Sequence, residues 1–536
     1  MKADRGVRPH DLSRRAFLGA TIAGVVAAAC SGKDGASDGG TSSSSVPLEV
    51  PGVDVEGDLF ALGVASGDPT ADSVILWTRL APDPMNGGGM PDEVVKVVWE
   101  VSTDEAFSGL VATGAVDALP ELAHSVHVDA SGLQPATGYY YRFRVGEAVS
   151  PVGRTRTFPA ADSSPERLRF AMASCQNYQD GYFSAYRHML DEDIEFVLFL
   201  GDYIYEYGPD QVESLFRIRD HAGGEAVTLD DYRLRYAQYR GEQELREAHA
   251  RVPWLTIWDD HEVENNYEGD VSEEDVSEEE FRQRRAAAYQ AYYEHMPMRI
   301  DDTESFEEVH TYRAAPYGDL VDIVLLDVKQ FGDPPECRDS SLFDFGPLCD
   351  EALDEQRTLL GTEQEAWLEE ALLSSESQWN LIVQQILMSG FKAPDPAGGE
   401  PRFYLESWDG YPAARQRLAQ FLVDEDIRNP VILSGDYHAS FVADLKPDPY
   451  DPESPVAAPE FLVTSISAAV FDEDYTSANP QVKYFDPRNG YVVCQVTPDE
   501  FTTTFRYVSD VTDPAAELVE GPTWSVAAGE RSARQE

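Results

Sequence analysis

Four short segments of the chain share one pattern, in which an apolar run of strand length stops abruptly at polar side chains. The segments are LRFAMASCQN (168–177), FVLFLGDYIYEYG (196–208), WLTIWDDHEVENN (254–266) and NPVILSGDYHAS (429–440). Apolar runs of this length are typical of strands buried on both faces. In open sheets of such strands, functional side chains lie just beyond the carboxyl ends, so the pattern predicts an α/β fold with a site at one rim.

The side chains at these four strand ends belong to residue types that bind metal ions. They are Cys175, Asp202, Tyr205, Asp260, His261, Asp436 and His438. Taken singly, each has an ordinary structural explanation, because an aspartate after a strand often caps a turn and a lone cysteine is usually an apolar packing residue. Their coincidence at four strand ends predicts a site that holds more than one metal ion.

The strong acidity of the chain limits its partners. The 536 residues include 97 Asp and Glu against 41 Lys and Arg, which gives a formal net charge of −56. Nucleic acids and anionic membranes attract basic proteins, so neither is expected as a direct partner. A phosphate ester would also be repelled at long range, and metal cations would have to reverse the sign of the charge locally.

The first 30 residues have the pattern of an export signal. SRRAFLGATIAGVVAAAC (13–30) joins paired arginines to an apolar stretch that is too short to span a bilayer. SRRAFLG resembles a twin-arginine signal, and AAAC resembles a lipoprotein cleavage site with Cys30 as acceptor, although Ala27 replaces the usual Leu, Val or Ile. We expect export by the twin-arginine machinery to the periplasm, cell surface or medium, with a lipid anchor to the membrane and plain secretion both open. Residues 31–56 are expected to form a flexible linker.

The chain changes its periodicity near residue 160. Residues 57–160 contain short β-branched or aromatic runs separated by turns, and SGLQPATGYYYRFRVG (131–146) resembles part of a fibronectin type III domain, so a small all-β immunoglobulin- or fibronectin-like sandwich is expected. Over 166–510, strands alternate with helices, as in an α/β (α+β) sandwich of mixed sheets. Residues 511–536 are expected to be a docked helix or a loose tail.

Three longer helices are predicted in the second part, over 230–250, 278–296 and 362–377. In the last of them, Thr362 and Glu365 have the spacing of a capping box.

The same strand-end motifs carry a family resemblance. SCQN, GDYIYEYG, WDDHEVENN, SWDGYPAAR (407–415) and SGDYHAS together resemble the PhoD-type alkaline phosphatases, a branch of the calcineurin-like metallophosphoesterases. The resemblance runs from about Phe60 to about Val508. It implies the metallophosphoesterase sandwich for 166–510, and one Fe(III) with one or two Ca²⁺ as cofactors.

The resemblance also divides the ligands between the two metals. Asp202 is the expected bridging ligand, because a carboxylate can hold two cations at once. Cys175, Tyr205 and His438 are expected on the iron side, where thiolate and phenolate suit a trivalent transition metal better than magnesium. On the residues alone, Tyr205 is equally consistent with aromatic packing.

The expected calcium side is built from oxygen donors. Asp260 and Asp436 stand where the wider superfamily has Asn and His, and Asp436 in place of a histidine favours a harder metal such as calcium. Asn265 is expected to add an amide oxygen. Asp259 is equally consistent with a cap of the following turn.

The reaction implied by the resemblance is hydrolysis of phosphomonoesters, and of phosphodiesters, by in-line attack of a metal-held oxygen. His261, acting with Asp202, is expected to stabilise or protonate a phosphoryl oxygen. The alternatives are a phospholipase D-like or phytase-like specialist on the same scaffold, and an inactive surface binding protein.

Candidates for gripping the phosphate are arginines, because a guanidinium makes bidentate pairs with oxyanions. They are Arg217, Arg235, Arg299 and Arg415, although helical arginines are mostly structural. The chain departs from the family at Lys329 and Gly332, where arginines are common, and at Gln481, where a histidine is common.

The remaining cysteines are assigned structural roles. Cys337 and Cys349 flank a polar loop and are expected to pair in an oxidising compartment. Cys494 lies in the apolar run GYVVCQV and is expected to be packing.

Overall fold

The computed structural model of the protein describes residues 48–536 except for 212–216, 274–275, 301–304, 335, 338–344 and 396. The expected export signal, and the linker as far as residue 47, lie outside the described residues.

Six α-helices lie in the described part of the chain. They are α1 (Ser184–Met189), α2 (Leu229–Arg240), α3 (Gln243–Arg251), α4 (Glu278–His295), α5 (Gly361–Ser374) and α6 (Pro412–Asp424). Capping boxes at Thr228 and Ser277 begin α2 and α4, and Pro412 stands in the first turn of α6.

The strands fall into an N-terminal and a C-terminal group. The N-terminal strands are β1 (Val64–Gly67), β2 (Ser73–Arg79), β3 (Val95–Ser102), β4 (Leu110–Ala118), β5 (Ser125–Ser131), β6 (Gly138–Val145), β7 (Ala148–Val149) and β8 (Gly153–Arg156). The later strands are β9 (Leu168–Ala173), β10 (Val197–Leu200), β11 (Trp254–Ile257), β12 (Arg313–Tyr317), β13 (Val321–Leu325), β14 (Phe345–Gly346), β15 (Trp379–Val383), β16 (Lys392–Ala393), β17 (Arg402–Tyr404), β18 (Pro430–Ser434), β19 (Ser440–Leu445), β20 (Ala458–Leu462), β21 (Val482–Asp486), β22 (Gly490–Val496), β23 (Glu500–Val508), β24 (Leu518–Ala527) and β25 (Arg534–Gln535).

The four segments with polar ends are strands, as predicted, but they belong to two sheets. β9, β10 and β11 are parallel neighbours in a ten-stranded sheet of order β25-β24-β23-β22-β9-β10-β11-β1-β2-β5. β18 lies in a seven-stranded sheet of order β12-β13-β15-β18-β20-β19-β21, whose central strands are also parallel. One apolar cluster fills the space between the sheets and includes Leu198, Leu255, Leu381 and Leu433. The expectation of mixed sheets is confirmed.

The segment over 57–160 is built from strands, as expected, and three of its strands also continue the ten-stranded sheet. β1, β2 and β5 complete the ten-stranded sheet, with β1 parallel to β11 through the pair Gly67 and Trp254. β3, β4, β6, β7 and β8 form a second sheet, and an apolar cluster with Val64, Leu76 and Tyr141 joins the two. The periodicity shows single strands and carries no information about which sheet a strand joins. The immunoglobulin- or fibronectin-like assignment stays a prediction.

Three local expectations are corrected by the structure. The helix expected over 230–250 is two helices, because the chain turns at Gly241 between α2 and α3. Thr362 is not the cap of α5, which begins at Gly361 without a side-chain cap, and Glu365 instead accepts a hydrogen bond from Thr358. The C-terminal stretch is neither helix nor loose tail but β24 and β25, because Trp524 and Val526 are buried in the core.

Candidate metal centre and active site

The four strand ends bring their polar side chains together. Three groups of possible metal ligands lie there, and within each group the ligand atoms are no more than 4.8 Å apart. The groups are Cys175, Asp202 and His438; Asp202, Asp260 and His261; and Asp259, Asp260 and Asp436. Because Asp202 belongs to the first two groups and Asp260 to the last two, the three groups form one continuous cluster.

The sulfur-containing side of the cluster also holds Tyr205. Its hydroxyl donates to Asp202 Oδ2 at 2.8 Å and lies 3.1 Å from His438 Nε2. His438 Nδ1 bonds the carbonyl of Ala469 at 2.7 Å, which directs Nε2 toward the tyrosine. Cys175 is a free, buried thiol. The structure thus places thiol, phenol, imidazole and carboxylate around one point.

The opposite side of the cluster is the group of three carboxylates, Asp259, Asp260 and Asp436. Asp436 accepts a hydrogen bond from the Tyr404 hydroxyl at 3.0 Å, and Asp260 Oδ2 accepts from the backbone N–H of Asn266 at 2.5 Å. Asp259 is fully buried, and neither of its carboxylate oxygens has a hydrogen-bond donor among the described residues. Asp259 therefore faces the cluster as a third acid and is not the turn cap that the sequence left open.

These donors fit a transition metal beside a harder cation. Thiolate and imidazole favour a transition metal, whereas a set of carboxylates favours calcium. Asp202 Oδ1 is buried without a hydrogen-bond partner among the described residues, which suits an atom that binds a cation. Burial raises the pKa of Cys175, and Asp202 and Asp436 raise it further, so a cation bound there would have to displace the thiol proton.

The backbone is held in the left-handed region just beyond three of the four strands, β9, β10 and β18. Cys175, Asp202, Asp436 and His438 have φ angles of 55°, 59°, 68° and 53°. Such conformations are costly for residues other than glycine and concentrate at functional sites. They turn each side chain sharply off its strand and into the cluster.

Gly201 lets the two central strand ends approach each other. Its φ is 94°, and a Cβ at this position would lie 2.4 Å from Cβ of Asp259. We expect Gly201→Ala to lower the free energy of unfolding by about 2 kcal/mol or more, through backbone strain and steric overlap. Because the overlap separates Asp202 from Asp259, turnover should fall even at temperatures where the variant is folded. Chemical denaturation and initial rates measure the two effects, with Gly224→Ala as the control because its Cβ would meet nothing within 4 Å. If Gly201→Ala has the stability and the turnover of the parent, the close approach of Gly201 to Asp259 is not important for either.

His261 is oriented by Glu206, which the sequence analysis did not assign. His261 Nδ1 bonds Glu206 Oε2 at 2.8 Å, and the other oxygen of Glu206 accepts from the backbone N–H of Asn265 at 2.8 Å. Burial disfavours the charged form of His261, but Glu206, Asp202 and Asp260 outweigh burial and raise the pKa of His261. The ring is therefore positioned, and able, to carry a proton beside the cluster.

Glu262 ties two of the strand ends together. Its carboxylate accepts backbone N–H groups from Asp202 at 3.1 Å, Tyr203 at 2.5 Å and Asp259 at 2.8 Å. Three such bonds hold the turns after β10 and β11 in fixed relation. Glu206 and Glu262 both lie inside the motifs that marked the site, so their place in the sequence was a usable signal.

Lys329 is a basic side chain that lies close to the carboxylates of Asp259 and Asp260. It is buried, and its ammonium lies 3.6 Å from Asp259 Oδ1. Burial disfavours the charged form, but Asp260 and Asp259 outweigh it and raise the pKa of Lys329. Lys329, which stands where an arginine is common in the family, therefore still supplies a positive charge.

The four arginine candidates are engaged elsewhere. Arg217 and Arg299 bond aspartates at the surface, Arg235 bonds the carbonyls of Tyr205 and Gly224, and Arg415 pairs with buried Asp409. The prediction that these arginines bind the phosphate oxygens is therefore corrected. Gln481 likewise bonds the carbonyl of Gly390.

The sequence also predicted roles for Asn265 and for the remaining cysteines. The side-chain amide of Asn265 donates to Glu273 at 2.7 Å, so it is turned toward that carboxylate, and its role as a calcium ligand stays a prediction. Cys337 and Cys349 form a disulfide, as expected. Cys494 is a buried free cysteine within β22, also as expected.

Comparisons with known proteins identify the family of the chain. The family model for the PhoD-like phosphatase matches residues 170–505, and the model for the PhoD-like phosphatase N-terminal domain matches residues 48–159. Alkaline phosphatase D of Bacillus subtilis (strain 168) is 46% identical over 467 residues, which cover 86% of this chain and 79% of the relative. A solved structure of PhoD is 44% identical and covers 90% of this chain and 93% of that chain, with a TM-score of 0.86. The chain belongs to the PhoD-like phosphatase family and is a phosphoric ester hydrolase.

Proposed function

We propose that the protein is an exported alkaline phosphatase that depends on iron and calcium and hydrolyses phosphomonoesters and phosphodiesters. The observation that carries this proposal is the continuous cluster in which Asp202 and Asp260 are each shared between two groups of possible ligands. Shared carboxylates are what catalysis by neighbouring metal ions requires. We assign Cys175, Asp202, Tyr205 and His438 to the iron, and Asp202, Asp260, Asp436 and Asn265 to calcium.

When bound, the metal ions would supply positive charge that offsets the acidic cluster and polarises the transferring phosphoryl group. Lys329 adds a fixed cation on the carboxylate side, where it can attract phosphate oxygens. His261 is held by Glu206 and is placed to give its proton to the leaving oxygen. Glu262 maintains the spacing of Asp202 and Asp259 during the reaction.

Two chromogenic substrates, assayed with and without a calcium chelator, test the proposed activity. We expect hydrolysis of both p-nitrophenyl phosphate and bis-p-nitrophenyl phosphate. Chelation should abolish both activities, and added Ca²⁺ should restore them, because calcium sites built from oxygen ligands exchange their cations with solution. Circular dichroism should show that the chelated protein stays folded.

Each other outcome identifies an alternative. Hydrolysis of the diester alone would favour a phospholipase D-like specialist, and hydrolysis of the monoester alone would favour a phytase-like specialist, because phytate is a phosphomonoester. No hydrolysis of either substrate by metal-loaded protein would favour the surface binding protein. Activity that survives exhaustive chelation would contradict the calcium assignment.

We also propose export through the twin-arginine route, supported by the segment over 13–30. Among the residues that the structure describes, no helix is long and apolar enough to cross a membrane. Lipid attachment at Cys30 would hold the enzyme at the membrane surface after export.

Replacement of both signal arginines tests the route. We expect the double variant Arg14→Lys and Arg15→Lys to remain inside the cell, because the change keeps the charge and removes only the paired guanidinium groups. Phosphatase activity in the exported and cytoplasmic fractions measures this, and normal export of the variant would contradict the assignment. In the same fractionation, Cys30→Ala should move activity from the membrane fraction to the soluble fraction if the anchor is present.

A further inference from the structure

Arg240, the last residue of α2, is a fully buried cation without a carboxylate partner among the described residues. Its guanidinium lies 4.2 Å from the ring centre of Trp77, and Nη1 is 3.5 Å from the Tyr203 hydroxyl. Nε and Nη2 have no hydrogen-bond acceptor among the described residues. These two N–H groups form the edge with which arginine usually grips an anion.

A second orphan donor lies in the same neighbourhood. The Tyr203 hydroxyl and His249 Nε2 are 2.9 Å apart, and His249 Nδ1 is buried with no partner among the described residues. Burial lowers the pKa of His249, and the charge of Arg240 lowers it further. When the neutral ring accepts from Tyr203, its proton lies on Nδ1 and needs an acceptor.

The surrounding charges do not compensate Arg240. Arg79, whose charge like that of Arg240 lowers the pKa of His295, bonds His295 Nε2 at 2.6 Å and the carbonyl of Ala123 at 3.0 Å, both of which are neutral. Glu294 is already bound by Arg233 at 2.6 Å. A chain with a net charge of −56 thus places an excess of positive charge in its interior here. Buried charges are normally paired, because isolation from water is costly.

We propose that the Nε–Nη2 edge of Arg240 binds a small inorganic anion, with chloride as the occupant, where α2 meets α3 and β2. The anion would accept both free N–H groups and neutralise the guanidinium. It would also brace Tyr203, which follows Asp202 and whose backbone N–H is bound by Glu262 at 2.5 Å. The site therefore lies behind the turn that carries the shared ligand of the metal cluster.

Bromide provides the direct test, because it replaces chloride and scatters anomalously. Crystals of the whole protein grown in sodium bromide should show an anomalous peak within hydrogen-bond distance of Arg240 Nε and Nη2. Thermal unfolding in sodium chloride, compared with sodium gluconate at the same ionic strength, should show a Tm higher by about 2 °C. Water alone at this position, or equal Tm values in the two salts, would overturn the proposal.

Two variants show whether the chloride effect acts through this residue. Arg240→Met keeps an apolar stem over Trp77, and it should abolish the difference in Tm between the two salts. Arg79→Met is the matched control, since it removes another buried guanidinium whose Nε and Nη1 already have partners; it should lower Tm and keep the chloride response. An equal response in the parent and in Arg240→Met would overturn the proposal. If Arg240→Met does not fold, the bromide peak in the parent protein decides.

Discussion

Asp202→Asn should reduce kcat/KM for p-nitrophenyl phosphate by about 10³-fold or more, a loss of about 4 kcal/mol in transition-state stabilisation. An amide has one oxygen donor and no charge, so it cannot serve two cations as the shared carboxylate can. The fold should survive. Burial raises the pKa of Asp202, which means that its ionised form is disfavoured in the metal-free protein. The metal-free variant should therefore be at least as stable as the metal-free parent.

The combination of lost activity and retained stability separates a ligand role from a structural one. Asp230→Asn is the control, since this side chain is 92% exposed and pairs with Arg233 at 3.4 Å, at the surface and away from the cluster. It should change neither quantity measurably. If Asp202→Asn has the same turnover as the parent, a shared carboxylate at this position is not needed for catalysis.

Tyr205→Phe should bleach or shift the visible absorption of the iron-loaded protein and reduce turnover by about 10²-fold, in the range of a lost hydrogen-bonding group at a reacting centre. The substitution removes only the hydroxyl that contacts Asp202 Oδ2 at 2.8 Å and His438 Nε2 at 3.1 Å. The ring keeps its stacking on His261, with centroids 4.0 Å apart. Stability should change by only about 1 kcal/mol.

Cys175→Ser should change the spectrum in a different way, because it replaces a soft sulfur donor with a weaker, harder oxygen. Tyr317→Phe is the matched control for the loss of a buried phenol, since its hydroxyl donates to Glu195 at 2.6 Å, away from the cluster. It should lower stability and leave the colour intact. The parent spectrum and turnover in both Tyr205→Phe and Cys175→Ser would show that neither residue binds the metal.

The sequence predicted the strands of the site well because their pattern is local. An apolar run buried on both faces followed by Asp, His or Cys is readable without knowledge of the fold, and all four such runs proved to be strands that converge. The family motifs then separated Tyr205 from ordinary aromatic packing, which the residues alone did not do. In the structure, its hydroxyl lies against Asp202 and His438.

Features that depend on long-range pairing were not predictable in this way. The local pattern of β1, β2 and β5 is the same as that of the other N-terminal strands. Among the described residues, it is the pairing of Gly67 with Trp254 that places them in the ten-stranded sheet. The arginine candidates failed for a similar reason, because the local sequence around an arginine does not show which distant carbonyl or carboxylate will bind it. The sequence left open whether Asp259 caps the turn that follows it. In the structure its buried carboxylate oxygens have no hydrogen-bond donor among the described residues, so it is not a cap.

The metal content of the exported protein, purified without chelators and measured by inductively coupled plasma mass spectrometry, tests whether the cluster around Asp202 binds iron and calcium. We expect one iron ion and one or two calcium ions per active chain, with both metals reduced in Asp202→Asn. Full phosphatase activity in protein that contains neither metal would contradict this assignment.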